Sequence, residues 1–141
     1  MSDELRIAAE TGALDRMRAL LASGADLHLR LDDGSTALTS AAAHGRQEVV
    51  HLLLQHGAPI DAPDRDGYTA LMRAAIRGRV AVVRTLLDAG AATSVQADYE
   101  HPRTRRTSTV TAEDLAVIYR RDHAQEILAE HRHAQDHEHE R

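Results

Sequence analysis

Apolar and polar positions along the chain follow a pattern that predicts short helices in pairs. In the middle of the chain, Leu38, Ala41 and Ala42 are spaced i, i+3, i+4, which places them on one face of a short helix. Gly45 then predicts a tight turn, and a second amphipathic helix follows with four apolar residues inward: Val49, Val50, Leu53 and Leu54. An Asp- and Pro-rich stretch up to Gly67 predicts an extended turn. The pattern therefore predicts a helix-turn-helix unit followed by a turn.

This unit recurs along the chain with a period of 33 residues. All eight glycines keep the period, in three series: Gly12, Gly45 and Gly78; Gly24, Gly57 and Gly90; Gly34 and Gly67. Pairs of leucine and of alanine keep the same register: Leu20-Leu21, Leu53-Leu54 and Leu86-Leu87; Ala8-Ala9, Ala41-Ala42 and Ala74-Ala75. One helix pair cannot bury its apolar face alone, whereas stacked pairs can. The chain is therefore predicted to be a repeat array.

The two best units carry a family resemblance. They read Gly34-Ser-Thr-Ala-Leu-Thr-Ser-Ala-Ala-Ala-His-Gly45 and Gly67-Tyr-Thr-Ala-Leu-Met-Arg-Ala-Ala-Ile-Arg-Gly78. With its period of 33, the chain resembles ankyrin-repeat proteins over about residues 3–130. The resemblance implies an all-α, ankyrin-type solenoid of about four helix-turn-helix repeats with β-turn or loop fingers. The family's Thr-Pro-Leu-His appears as Thr36-Ala-Leu-Thr39 and Thr69-Ala-Leu-Met72, so its Pro and His are absent.

The four repeats are expected at about residues 3–33, 34–66, 67–99 and 107–130. Both ends depart from the pattern as solenoid caps do. In unit one, Arg16 replaces the apolar Val49 of unit two, which suits a more exposed outer helix. Unit four contains Thr111 and Ile127-Leu128 but no glycine, and its second helix can be aligned in more than one register. The His-rich, charged residues 131–141 are predicted to be a disordered tail.

A long inserted loop is predicted between units three and four, at about residues 95–110. The step from Thr69 to Thr111 is 42 residues instead of 33, so nine residues are extra. Its Tyr and Arg residues are types enriched in binding hot spots. The loop is interpreted either as a binding loop on a rigid scaffold or as a tolerated, solvated insertion.

The resemblance also implies a concave binding surface made from turn tips and the exposed sides of the first helices. Carried over by position, and with the loop added, it gives these candidate partner-binding residues: Asp33, Ser35, His44, Arg65, Asp66, Tyr68, Ile76, Arg77, Tyr99, Arg103, Arg105 and Arg106. Met72 shares a helix face with Ile76 and is expected in the core, whereas Tyr68 is expected at the surface. Tyr119, in the capping unit, is interpreted as structural.

The amino-acid composition excludes several kinds of functional site and restricts the residues that can form the core. The chain has no Cys, which excludes disulfides, Cys-based zinc sites and thiol nucleophiles. It also has no Phe or Trp, so the core must come from Leu, Val, Ile and Ala. Every basic residue is Arg, which is typical of a GC-rich, bacterial coding sequence. Residues 1–66 carry a net −5, residues 67–121 a net +4 and residues 122–141 a net −4, a division that either orients a partner or reflects drift of surface charge.

These observations predict a protein-protein interaction module that acts as an adaptor or regulator. The alternative is an inhibitor or immunity-type protein that masks a cognate enzyme. No phosphate-binding loop, nucleophile elbow or His-Glu-x-x-His pattern is present, so no enzymatic activity and no cofactor are expected. Without an apolar span or a secretory signal, the protein is expected to be cytoplasmic, and to be a monomer on its own.

Two further classes of ligand are less favoured. The tail histidines His131, His133, His137 and His139 could bind zinc or nickel, although a frayed, solvated end is the preferred interpretation. The Arg-bearing loop could bind nucleic acid, but the cluster is short, lacks a binding motif and belongs to an acidic protein.

Overall fold

A computed structural model describes the backbone of residues 2–139 and the side chains of residues 3–135. Within these residues the chain forms eight helices and one two-stranded sheet. In chain order the elements are α1 (Ser2–Thr11), α2 (Leu14–Ala22), α3 (Ala37–Ala43), α4 (Gln47–Gln55), α5 (Ala70–Arg77), α6 (Val80–Asp88), β1 (Ala97–Glu100), β2 (Thr107–Val110), α7 (Ala112–Ile118) and α8 (Asp122–His139). The predicted series of helix pairs is confirmed.

The helices form two layers. The first helices of the units, α1, α3, α5 and α7, pack against one another in order, and the second helices, α2, α4, α6 and α8, do the same. Ala41, Ala42, Ala74 and Ala75 are fully buried in the first layer. Because these side chains are small, adjacent helices can approach closely. The core therefore runs along the whole stack and needs no large aromatic residue.

A threonine is the N-cap of the first helix in units two, three and four. The cap at Thr36 was predicted from the sequence. The Thr36 hydroxyl accepts a hydrogen bond from the Thr39 backbone N–H at 3.0 Å. The Thr39 hydroxyl in turn accepts from the Thr36 N–H at 2.8 Å, which completes a capping box. Thr111 and Asp114 form the same box at α7, whereas the Thr69 hydroxyl caps α5 by accepting from the Met72 N–H alone. Each cap satisfies backbone donors that the helix itself leaves unpaired.

Successive units are joined by an arginine that lies over a glycine of the preceding unit. Arg79 Nε donates to the Ala43 carbonyl at 3.1 Å, and a Cβ added to Gly45 would lie 2.9 Å from Arg79 Cδ. The same joint recurs at Arg46 with Gly12 and at Arg121 with Gly78. These glycines therefore close a left-handed turn and also make room for the arginine.

The inserted segment differs from the predicted loop, because it forms an antiparallel hairpin. Ala97 pairs with Val110 and Glu100 with Thr107. Tyr, Thr and Val are enriched in strands, and the second strand reads Thr-Ser-Thr-Val. Ala97 and Val110 are buried, so the base of the hairpin is attached to the helices. The solenoid is thus mostly helical with one small sheet.

The fourth unit is aligned by its backbone bonds. The Arg121 N–H donates to the Ala116 carbonyl as the Arg79 N–H does to Ala74, which fixes a shift of 42 residues. Leu128 is then equivalent to the buried Leu86 and is itself buried. Gln125 stands where unit three has Val83, a polar substitution that suits a terminal unit.

At the two ends, exposure and helix length depart from the central units. Arg16 is exposed, as expected for the first outer helix. Helix α8 continues to His139, so residues 131–139, predicted to be disordered, are helical in the structure. The side chains of His137 and His139 lie outside the described residues. No helix among the described residues is long and apolar enough to cross a membrane.

Candidate functional site

A groove lies between α3 and α5 and the turns that precede them, with a volume of about 200 Å³. It exists because the first helices of adjacent units pack side by side while their turns project beyond them. Seven of the predicted partner-binding residues line it: Asp33, Ser35, His44, Arg65, Asp66, Ile76 and Arg77. Residues 33 apart in sequence are thereby brought to the two walls of one groove.

The wall from unit three is held by a network centred on Arg73. Arg73 Nε donates to the buried Asp64 carboxylate at 2.6 Å, and its other arm donates to Asp66 at 3.0 Å. Burial alone would lower the pKa of Arg73, but the bond and charge of Asp64, and those of Asp66, leave its pKa above the ordinary value. Asp64 also accepts from the backbone N–H groups of Asp66 and Tyr68. This turn and its helix therefore form one charged, internally paired unit.

Tyr68 connects this wall to the hairpin. The Arg73 guanidinium lies 4.6 Å from the centre of the Tyr68 ring, within reach of a cation-π interaction. The Tyr68 hydroxyl donates to the Asp98 carbonyl on β1 at 3.4 Å. Burial chiefly raises the pKa of Tyr68, and the nearby Tyr119 raises it further. The half-buried ring is thus a structural link with one side available at the surface.

The wall from unit two contains Asp33, Ser35 and His44. The Ser35 hydroxyl and N–H both donate to Asp33, at 2.6 and 3.0 Å. Burial would raise the pKa of Asp33, but these two hydrogen bonds outweigh it and leave the pKa below its ordinary value. His44 places Nδ1 2.8 Å from the Ser40 carbonyl, so Nδ1 carries the proton in this contact.

The remaining predicted residues belong to the hairpin and do not line the groove. Tyr99 on β1 is half-buried and meets His101 edge to face, with ring centres 5.0 Å apart. Arg105 pairs with Glu100 at 2.8 Å, while Arg103 and Arg106 are exposed near the hairpin turn. The hairpin therefore presents a second surface, attached to the groove through Tyr68.

The structure also adds residues that sequence reasoning missed. Asp64 and Arg73 were overlooked, although an Asp three residues before the turn glycine Gly67 is a signal for a side chain that bonds its own turn. Ile118 and Tyr119 occupy the places of Ile76 and Arg77 on the last inner helix and are 38% and 43% exposed. Tyr119, interpreted from the sequence as structural, is thus partly exposed on this face. Met72 is buried, which confirms that it belongs to the core.

The groove offers contact surface and charge, with its polar side chains largely bonded to one another. Among the described residues, no three His, Asp or Glu side chains come together in a way that could hold a metal ion. The side chains of His131 and His133 are described, whereas those of His137 and His139, the other two candidate ligands of the tail, are not.

Comparison with known proteins gives one finding. A sequence model of ankyrin repeats, in three copies, matches residues 5–97, which is more than half of the chain. A search among curated proteins found no match.

Proposed function

Since the chain belongs to the ankyrin-repeat family, a non-catalytic fold whose members generally serve as protein-protein interaction modules, we propose that it binds a partner protein through the groove between α3 and α5. The observation that carries this proposal is the convergence of residues from two units on one groove. The hairpin extends the binding surface next to it.

The groove suits docking of a folded or extended partner because it is already ordered. Arg73 is fixed by Asp64 and Asp66, and Asp33 is fixed by Ser35, so these side chains lose little freedom on binding. Arg77 and His44 are exposed beside them and are available for contact. A surface that is preorganised in this way converts more of its contacts into affinity.

We propose that the protein works as a cytoplasmic adaptor or regulator and is a monomer before it binds. An inhibitor of the immunity type would use the same surface. The two roles differ in what the bound partner does, because an inhibitor must lower the activity of a partner enzyme when the two proteins are mixed.

The test uses two matched variants in affinity capture from the native cell. His44→Glu changes an exposed histidine in the groove, and His51→Glu makes the same change on the outer helix α4. We expect the His44 variant to lose the partner, because the new carboxylate adds negative charge to a groove that already contains Asp33, Asp64 and Asp66. The His51 variant should capture it as the unchanged protein does.

Circular dichroism of both variants serves as the folding control. If His44→Glu and His51→Glu retain the same partners in equal amounts, the groove is not the binding site and the proposal is wrong. A captured enzyme whose activity falls on adding the purified protein would favour the inhibitor role over the adaptor role.

A further inference from the structure

An aromatic and aliphatic patch lies at the C-terminal end of the inner helix layer. We define it by four residues: Tyr68, Ile76, Ile118 and Tyr119. Ile76 lines the groove, and Ile118 and Tyr119 continue the same positions on α7, which packs directly against α5. Burial chiefly raises the pKa of Tyr68, and Tyr119 raises it further, which places the two side chains near each other. The patch therefore continues the groove beyond unit three.

Three observations mark this patch as a binding surface. Ile118 and Tyr119 are 38% and 43% exposed, although large apolar side chains elsewhere in the inner layer are mostly buried. Tyr68 is only half-buried, and Arg73 holds its ring from one side. Aromatic residues next to arginine are enriched at the centres of protein interfaces.

The part of the chain that carries the four patch residues has a positive net charge. Residues 67–121 contain nine Arg and five acidic residues. Three of those acids are already engaged: Glu100 with Arg105, Glu113 with Arg132, and Asp114 as the cap partner of Thr111. Arg65 and Arg77 line the same groove as Ile76, and two of the three aspartates in that groove, Asp64 and Asp66, are already paired with Arg73. A ligand at this place therefore meets apolar surface bordered by arginine.

We propose that the patch binds an acidic segment of the partner protein, whose apolar or aromatic side chain packs against the four patch residues. Carboxylates on either side of that anchor face Arg65 and Arg77. Arginine suits this role because its planar group can donate two parallel hydrogen bonds to one carboxylate. This inference rests on the proposed function and specifies the chemistry of the partner.

The experiment measures fluorescence anisotropy of a short labelled peptide in which Asp and Glu flank a central Leu-Trp pair. One control peptide replaces the pair by Ala, and another replaces the acids by Lys. We expect saturable binding of the first peptide only. Its affinity should fall about tenfold in Arg77→Glu and in the double variant Ile118→Ser, Tyr119→Ala, as for residues at the centre of an interface.

The matched control for charge is Arg84→Glu on α6, which changes an exposed arginine of the outer layer and should leave affinity unchanged. All changed side chains are exposed, so the variants should fold, and circular dichroism checks this. Equal binding of the Ala-substituted peptide, or equal loss in Arg84→Glu, would show general charge attraction and overturn the inference. Equal binding of a single-stranded oligonucleotide at physiological salt would overturn it as well.

A second copy of the chain is the remaining candidate, because α1 carries Asp3, Glu4 and the exposed Ile7. Sedimentation of the protein alone shows whether it is a monomer or a dimer. A dimer that Arg77→Glu dissociates would assign the patch to self-association and overturn the inference, whereas a monomer that binds the peptide supports it.

The experiments distinguish failure of the acidic-segment inference from failure of the proposed function. If His44→Glu abolishes partner capture while Arg77→Glu and the Ile118, Tyr119 variant retain it, the groove function stands and the acidic-segment inference is wrong. If none of these variants affects capture, both proposals are wrong.

Discussion

Tyr68 contacts three neighbouring parts of the described surface. Its backbone N–H bonds Asp64 in the turn, its ring packs against Arg73 of α5, and its hydroxyl reaches Asp98 of the hairpin. It therefore couples its own turn and the helix that follows to the hairpin, which is 30 residues further along the chain. Because the chain contains no Trp, the ionisation of its three tyrosines can be followed by absorbance without interference.

We predict that Tyr68 ionises at a higher pH in the folded protein than in the unfolded chain. Burial raises its pKa in the folded protein, with smaller contributions from Tyr119, Asp66 and Tyr99 that Arg73 partly offsets. The folded state thus holds the phenolic proton more tightly than the unfolded chain does. The resulting stabilisation is complete below the unfolded tyrosine pKa of about 10 and is lost as pH rises through the folded value.

The measurement is an alkaline absorbance titration, together with urea unfolding at neutral and alkaline pH. Tyr68→Phe should remove absorbance change above the ordinary tyrosine range and should reduce the loss of stability at alkaline pH. Tyr99→Phe is the control and should leave that change in place. If the change survives in Tyr68→Phe, the assignment is wrong.

At the scale of elements, adjacent inner helices are fastened by the arginine-glycine joints. The joint at Gly45 combines a left-handed turn, with φ of 72°, and the Arg79 side chain directly over it. Gly57 has a similar φ of 82°, but nothing lies within 4 Å of where its Cβ would be. Alanine substitutions at the two glycines therefore measure different costs. Gly57→Ala measures backbone strain alone, whereas Gly45→Ala measures strain together with the displacement of Arg79.

We predict that Gly45→Ala is more destabilising than Gly57→Ala. Gly57→Ala should cost about 1–2 kcal/mol, the strain of a left-handed residue with a side chain. Gly45→Ala adds to this the displacement of Arg79 and of its bond to the Ala43 carbonyl, about 1 kcal/mol more. Urea unfolding of both variants measures the difference.

A double-mutant comparison tests the cause. In an Arg79→Ala background, the cost of Gly45→Ala should fall to that of Gly57→Ala, because the clash is gone. An undiminished cost in that background would contradict the explanation.

At the scale of the whole molecule, stability is spread along a stack in which each unit contacts only its neighbours. Residues near the middle are covered from both sides, whereas α7 and α8 have a neighbour on one side only. Val117, 59% exposed, shows the uncovered side of α7. All three tyrosines lie from unit three onward, so their fluorescence reports this part of the chain alone.

We predict that Leu128→Ala makes the C-terminal end unfold before the rest. Removing a buried leucine costs about 2 kcal/mol or more, and here the loss falls on a unit supported from one side. In urea, the tyrosine fluorescence transition should move below the circular dichroism transition. Leu53→Ala, in the middle of the stack, should instead lower both transitions together. Coincident transitions in the Leu128 variant would show that the stack unfolds as one unit.

The sequence by itself determined the repeat, its period and the helix pairs. These follow from local chemistry, because threonine caps, left-handed glycines and apolar spacings such as that of Leu38, Ala41 and Ala42 act within a few residues of one another. The same periodicity placed seven of the predicted residues, since positions one repeat apart must lie side by side once the units stack.

Other features were decided by tertiary structure alone. The Arg73–Asp64 bond, the arginine over Gly45 and the exposure of Tyr119 depend on which side chains meet after the units pack. Where the period breaks, at the insertion and in the fourth unit, no neighbouring repeat dictated the conformation, so the hairpin and the alignment of Leu128 could not be read from spacing. The repeat therefore specifies the conformation that each unit shares with the next, whereas the hairpin and the exposed end of the patch at Ile118 and Tyr119 arise where the units differ.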